Sequence, residues 1–230
     1  MLRNGQTASL ERAAKAYADQ LAAVKPHADR YGVISYLSDH AIGFALASSY
    51  RLGIVRVPLP GDERFTGMLS IPYLTANGVR AMKFRNLRYD GETGIKYSAP
   101  AGQKPRLYNT GAYFAAGDVI GLAEGELDAI AATEHLGLPT MGIPGAEMWH
   151  NSARIWSPVF KDFRAVVLFA DGDSAGRELA KDVAETVGWR LKVIECPAGT
   201  DVSGMVNADH AGQLTARWRT ATEEASRDGA

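Results

Sequence analysis

Four acidic positions in the C-terminal half of this chain have the type and placement to do chemistry together. Glu124 follows the apolar run Val119 to Ala123, Asp171 and Asp173 follow the run Ala165 to Ala170, and Asp201 stands a few residues after a run that ends near Glu195. Each run reads as a β-strand. In parallel α/β sheets, functional side chains sit just beyond the carboxyl ends of the strands. If these strands are neighbours, the four carboxylates share one rim. Carboxylates held together repel one another, and a divalent cation is the natural way to neutralise them. Gly125 and Gly172 fit such a rim, because each lets the chain turn sharply there. A helix starting after Gly125 would aim its partly positive N-terminus at the same place. Each motif also has a plain structural reading. Glu124 and Asp128 favour a helix N-terminus, and Asp171-Gly172-Asp173 can be an N-capped turn. Two such motifs at strand ends of one α/β unit favour the metal reading.

The rest of the composition limits which metal this is. The single cysteine, Cys196, excludes a disulfide framework and a cysteine-rich zinc module, and the five histidines lack paired ligand spacing. Carboxylates alone must then hold the ion, which points to a hard cation, Mg²⁺ or Mn²⁺, and to no zinc. Two other carboxylate motifs fit less well. Asp171-Gly172-Asp173-x-x-Gly176 partly matches a calcium loop, but Ala175 and Leu179 stand where that loop needs ligands. A phosphatase of the Asp-x-Asp type would want Gly-Thr after the aspartates, where this chain has Ser174-Ala175-Gly176, which weakens that reading and leaves it open.

The net charge of −1 carries no sign of a polyanionic partner, but the distribution does. From Arg80 to Arg106 there are seven basic residues (Arg80, Lys83, Arg85, Arg88, Lys96, Lys104, Arg106) against Asp90 and Glu92. A basic stretch of this kind can bind nucleic acid on a neutral protein, or be a solvated strand surface.

The elements that must position these residues fall into segments. Residues 8 to 24 predict a helix, with Leu10, Ala13, Ala14, Tyr17, Ala18 and Leu21 on one stripe. A second helical stretch runs from Ile34 to Tyr50 with a break near Gly43. Residues 53 to 114 read as a small, basic, mostly β subdomain. It includes a hairpin from Ser70 to Phe84 that turns at Asn77-Gly78, a pair suited to a tight primed turn. Strands at 119–123, 140–143, 165–170 and 190–195 alternate with helices at 126–136, 152–160 and 175–187, the pattern of a parallel sheet. The unbroken run Ala165 to Ala170 predicts burial on both faces, and Leu191 and Val193 predict the inner face of the last strand. The expected division is 1–52 helical, 53–114 basic, 115–205 α/β and 206–230 a C-terminal helix and tail, with poor order only in the first few residues and from Glu223 to Ala230. No apolar run reaches the roughly 18 residues of a membrane span, and no signal peptide is seen. A soluble cytoplasmic protein is expected.

These residues resemble a known family. Glu124-Gly125-Glu126-Leu127-Asp128-Ala129 resembles the first signature of TOPRIM domains, and Asp171-Gly172-Asp173-Ser174-Ala175-Gly176-Arg177 the second. Gly142-Ile143-Pro144-Gly145-Ala146 resembles the loop after the middle strand in phage primases. Upstream, Tyr36-Leu37 and Tyr50-Arg51-Leu52-Gly53 resemble the entry to the catalytic core of DnaG-type bacterial and phage primases. Ile71-Pro72-Tyr73, Lys83-Phe84-Arg85-Asn86-Leu87 and Lys96-Tyr97-Ser98 resemble that core's basic subdomain. The likeness spans residues 30 to 205 or so. Three departures stand out. His40-Ala41 occupies the place of the family's arginine-glycine pair, Ser98-Ala99-Pro100 lacks the family's asparagine, and Ser203 stands where a second aspartate commonly follows Asp201. The family's zinc-binding and helicase domains have no counterpart in this sequence.

The resemblance implies an α/β fold: a TOPRIM-type parallel sheet flanked by helices, preceded by a small mixed α+β basic subdomain. It implies a DNA primase that makes short RNA primers on single-stranded DNA by metal-dependent nucleotidyl transfer. Glu124, Asp171, Asp173 and Asp201 would hold one or two Mg²⁺ or Mn²⁺ ions, with Asp128 supporting catalysis from its helix. Arg85 and Lys96, with Lys83, Tyr97, Lys104 and Arg106, would contact template and nucleotide, and Tyr97 and Tyr108 could stack on bases. The implied partners are single-stranded DNA, ribonucleoside triphosphates, a replicative helicase and a separate zinc-binding protein, with no membrane. Two other readings share these residues: a TOPRIM nuclease, which would not need the basic β segment, and a non-catalytic replication accessory that binds single-stranded DNA.

Overall fold

A computed structural model describes residues 4–227, so the expectations for residues 1–3 and 228–230 lie outside it. The chain forms two compact units, Met1–Lys104 and Pro105–Ala230.

The first unit joins three helices, α1 (Asn4–Ala22), α2 (Val33–Asp39) and α3 (Phe44–Ser49), to an antiparallel sheet. Its strands are β1 (Gly53–Ile54), β2 (Met68–Thr75), β3 (Gly78–Asn86) and β4 (Tyr97–Ser98), in the order β1-β2-β3-β4. Ala13, Ala14, Tyr17 and Leu21 are the buried members of the α1 stripe. Ala13, Ala14 and Tyr17 form one core with Val55, Phe65, Val79, Met82 and Phe84. Phe65 and Phe84 stack at 3.8 Å, and Tyr17 meets Phe84 edge-on at 6.3 Å. The break between α2 and α3 falls where the sequence places it, with Gly43 as the N-cap of α3. The hairpin turn differs from the expected primed type. Ala76 and Asn77 form the loop, and Asn77 keeps a negative φ. Gly78 opens β3 at φ 89, so the glycine supplies the positive φ after an ordinary turn rather than inside a primed one.

The second unit is a parallel sheet with helices on both faces. Its strands are β5 (Val119–Glu124), β6 (Thr140–Ile143), β7 (Ala165–Ala170) and β8 (Leu191–Glu195), in the order β6-β5-β7-β8. All six residues of β7 are buried, as its unbroken apolar run predicts. Val166 and Leu168 face a core with Trp149, Trp156, Phe160, Leu179 and Val183. Val167 and Phe169 face the opposite core, with Ala131, Ala132, Ile194, Val202, Met205 and Leu214. These cores belong to α5 (Glu126–His135), α6 (Ala146–Trp156), α7 (Ser174–Val187), α8 (Val202–Asn207) and α9 (Ala211–Arg227), preceded by the short α4 (Ala112–Ala115).

Two expectations are corrected here. The helix placed at 152–160 begins at Ala146, and Ser157–Asp162 continues as a 3-10 helix. Pro158 fits this change, because it has no N–H for a preceding α-turn. On β8 the buried residue is Ile194, while Val193 is 44% exposed. Leu191 and Ile194 point to opposite faces of this edge strand and pack on the two different cores, and Val193, on the Leu191 face, is left exposed to solvent. No helix among the described residues is long and apolar enough to cross a membrane.

Candidate metal rim and nucleic-acid face

The parallel order makes β5, β7 and β8 consecutive neighbours, so their carboxyl ends lie side by side. Glu124 is the last residue of β5. Gly125 follows at φ 120, a conformation that other residues rarely adopt, and turns the chain into α5. Asp128 then lies on the first turn of α5 and is buried. Asp171 follows β7 directly, Asp173 is the N-cap of α7, and Asp201 is the N-cap of α8. The loops after β7 and β8 are stapled together. Gly172 N donates to Thr200 O at 2.9 Å, and Gly199 N donates to Gly172 O at 3.0 Å. A Cβ on Gly172 would collide with the Pro197 carbonyl oxygen, so this close approach requires glycine.

The carboxylates act on one another strongly. The Asp171 carboxyl is pushed up to about 9, first by burial and then by the charges of Asp128, Glu124, Asp201 and Asp173. Burial also raises Asp128, reinforced by Asp201 and, less strongly, by Glu124. The thiol of Cys196, at the end of β8, is pushed up to about 12 by burial and then by Asp171, Asp128 and Asp201. Three aspartates commit one oxygen each to protein donors. Asp173 Oδ1 accepts from Gly176 N at 2.9 Å, and Asp201 Oδ1 accepts from Gly204 N at 2.7 Å. Asp128 Oδ1 accepts from Ser203 N at 3.0 Å and Ser203 Oγ at 2.9 Å. The capped-turn reading of Asp171-Gly172-Asp173 is therefore correct for Asp173, and it leaves Asp173 a second oxygen.

The donors fit a hard divalent cation. All are carboxylate oxygens, Asp171 feels the repulsion of four other carboxylates, and Asp171 Oδ1 is buried without a hydrogen-bond partner among the described residues. The side chains do not already form a cage: among the described residues, no three His, Cys, Asp or Glu groups are arranged to hold a metal.

In the first unit, Lys83 and Arg85 lie two apart on β3, and Tyr97 on β4 pairs with Arg85 in register. Alternation therefore puts both cations on the sheet face opposite buried Phe84. Lys83 Nζ lies 3.9 Å from the Tyr97 ring centre, and Lys96 Nζ lies 5.7 Å from it. The Arg85 guanidinium is surrounded by three tyrosine rings, Tyr97 at 5.1 Å, Tyr36 at 5.6 Å and Tyr89 at 5.7 Å. Arg85 Nε also donates to Tyr36 Oη at 3.0 Å. Beyond the Tyr36-Leu37 motif, Tyr36 and Tyr89 carry no local signal of this role, because their contacts with Arg85 form only on folding. The His40 ring lies 4.3 Å from the Tyr36 ring at a tilt of 38°, and Ala41 sits at φ 56, the backbone glycine favours. Lys104 ends this unit and Arg106 lies at the start of the second; both are exposed. Tyr108 is buried and pairs with Gly142 in an antiparallel bridge, so packing is its role.

No family model matches the chain. The chain is 40% identical over 149 residues to the Gene 57 protein of Mycobacterium phage D29, covering 63% of this chain and 93% of that protein. Among solved structures it is similar to a DNA primase domain from Pseudomonas aeruginosa, with a TM-score of 0.71, 21% identity, and coverage of 92% of this chain and 77% of that one. It is also similar to a DnaG primase catalytic domain bound to single-stranded DNA, with a TM-score of 0.68, 17% identity, and coverage of 94% and 80%. At such identities the structural likeness establishes the fold. The chain belongs to the family of the mycobacteriophage D29 Gene 57 protein, and its fold is that of the DnaG-type primase catalytic core.

Proposed function

We propose that this protein is a DNA primase, a nucleotidyltransferase that synthesises short RNA primers on single-stranded DNA. The observation that carries this reading is the half-buried Asp171 carboxyl, whose Oδ1 is buried without a partner, set among four other carboxylates at the strand ends of a DnaG-type fold. Glu124, Asp171, Asp173 and Asp201 would hold one or two Mg²⁺ or Mn²⁺ ions. When bound, such an ion lowers the pKa of a 3′-hydroxyl and stabilises triphosphate charge. Asp128, held by Ser203, orients the rim from α5. Lys83, Arg85 and Lys96 neutralise phosphates of template or nucleotide, with Lys104 and Arg106 adding charge nearby in sequence. Tyr97 supplies a ring for base stacking beside them.

The single-stranded DNA bound to a structural neighbour supports the choice of template. Ribonucleoside triphosphates are the proposed substrates, and a replicative helicase and a separate zinc-binding protein are proposed partners in the cytoplasm. The test is incubation with single-stranded template, labelled ribonucleotides and Mg²⁺ or Mn²⁺. Primers are expected from the wild type, with a loss of about 10³-fold or more in D171A/D173A. Shortened template would instead mean a nuclease, and binding alone an accessory protein. Intact primer synthesis by the double variant would overturn the assigned metal site.

A further inference from the structure

Ser203 has no acid–base role in the proposed reaction, yet it is 1% exposed and bonded to two of the rim's carboxylates. Its backbone N–H and its hydroxyl both reach Asp128 Oδ1, at 3.0 and 2.9 Å. The same Oγ lies 3.0 Å from Asp201 Oδ1, which also accepts from Gly204 N at 2.7 Å. Asp128 belongs to α5, which follows β5, while Asp201 and Ser203 belong to the start of α8, which follows β8. In the strand order, β7 separates β5 from β8. Ser203 therefore joins the two outer loops of the rim across the middle one.

The two carboxylates it joins repel each other. Asp128 is buried and Asp201 half-buried, and such a pair keeps its arrangement only if donors hold its oxygens. Here the donors are two backbone N–H groups and one hydroxyl, whose single proton is shared between Asp128 Oδ1 and Asp201 Oδ1, and one oxygen of each aspartate is left to other partners. We infer that Ser203 is a positioning residue that ties Asp128 to Asp201 and so sets the affinity of the rim for its divalent cation. This rests on the metal reading given under the proposed function. A residue merely filling space here would change stability without changing cation affinity in the folded protein.

The experiment is a Mn²⁺ titration of the full chain, following free Mn²⁺ by electron paramagnetic resonance, with thermal melts to establish the temperature at which each variant is folded. Ser203→Ala keeps the backbone donor and removes the hydroxyl. It is expected to weaken Mn²⁺ binding by about tenfold, the size of losing one hydrogen bond to a charged group. Ser203→Thr restores the hydroxyl and is expected to bind within about twofold of wild type. Ser203→Cys keeps the volume with a weak donor and is expected to behave like the alanine variant, which covers the case in which threonine does not fold. Equal Mn²⁺ affinity in wild type and Ser203→Ala would overturn this inference and leave the metal reading standing. Wild-type affinity in Ser203→Cys would overturn it as well, by making volume the cause. Failure of the wild type to bind Mn²⁺ would overturn the metal reading and this inference together.

Discussion

The two units handle charge in opposite ways. In the second unit, five carboxylates crowd at the carboxyl ends of β5, β7 and β8, and burial plus repulsion raises Asp171 and Asp128. Their charge is answered by helix N-termini and a serine, which hold oxygens in place with only partial positive charge. In the first unit, Lys83 and Arg85 sit on a partly exposed sheet face and Lys96 just before β4, all against tyrosine rings. Ring faces attract cations, and solvent screens the cations from each other. One region carries strong like-charge repulsion, which a bound cation would relieve. The other is at ease without a ligand. The rim should thus couple stability to pH and metal, and the basic face should couple binding to salt with little effect on folding.

The largest expected effect breaks that comparison at the rim. Asp171 has a folded pKa of about 9 against an ordinary value of 3.8, so the folded protein holds a proton that the unfolded chain releases. Protons bind the folded state more strongly between those values, and stability therefore falls as pH rises through that window. Without divalent metal, thermal scans should show Tm falling by roughly 5–10 °C from pH 5 to pH 9. Addition of Mg²⁺ at pH 9 should restore most of it, and Asp171→Asn should flatten the decline. A metal-free Tm that rises with pH across this range, in a protein whose other groups are unchanged, would mean the carboxylates are not strained.

A smaller effect sharpens the other side. Arg85→Ala should weaken single-stranded DNA binding by about tenfold and reduce the slope of log K against log salt by about 0.7. Its Tm should stay within about 2 °C of wild type, because the side chain lies outside the buried core of that sheet. Fluorescence anisotropy at several salt concentrations measures both the affinity and the slope. An unchanged slope would remove Arg85 from the phosphate contacts.

The smallest effect concerns the backbone that carries Tyr36 and His40. Ala41 at φ 56 holds a left-handed conformation that costs an L-residue about 1 kcal/mol, partly offset in glycine by a freer unfolded chain. Ala41→Gly should stabilise the protein by about 0.5 kcal/mol in a urea titration, with DNA affinity unchanged. Destabilisation would show that the alanine methyl packs usefully there.

Much of the second unit was legible because its signals are local. The run Ala165–Ala170 is apolar at every position and became the fully buried β7, and the acidic residues stand at strand ends that the runs themselves mark. The edge strand was less legible. Leu191, Val193 and Ile194 are all apolar, and alternation alone could not say which would face the core. The helix over Ala146–Trp156 was misplaced because Trp149 and Trp156 are large core residues on a helix whose start carries Glu147 and His150 in solvent. The turn of the first unit's hairpin was read one residue late, since Asn77-Gly78 is the strongest local pair but Gly78 already belongs to β3.

The sequence by itself determined the donor types at the rim: oxygen ligands only, because one cysteine and scattered histidines leave no other, each placed after a run that forms a strand. It also determined which stretch is basic. Only the tertiary structure decided that β5, β7 and β8 are neighbours, that Ser203 reaches Asp128 from 75 residues away, and that Tyr36 and Arg85, 49 residues apart, share a hydrogen bond. The physical reason is range. Periodicity and turn chemistry act over a few residues, whereas the order of strands and the meeting of distant side chains follow from burying both faces of one sheet at once.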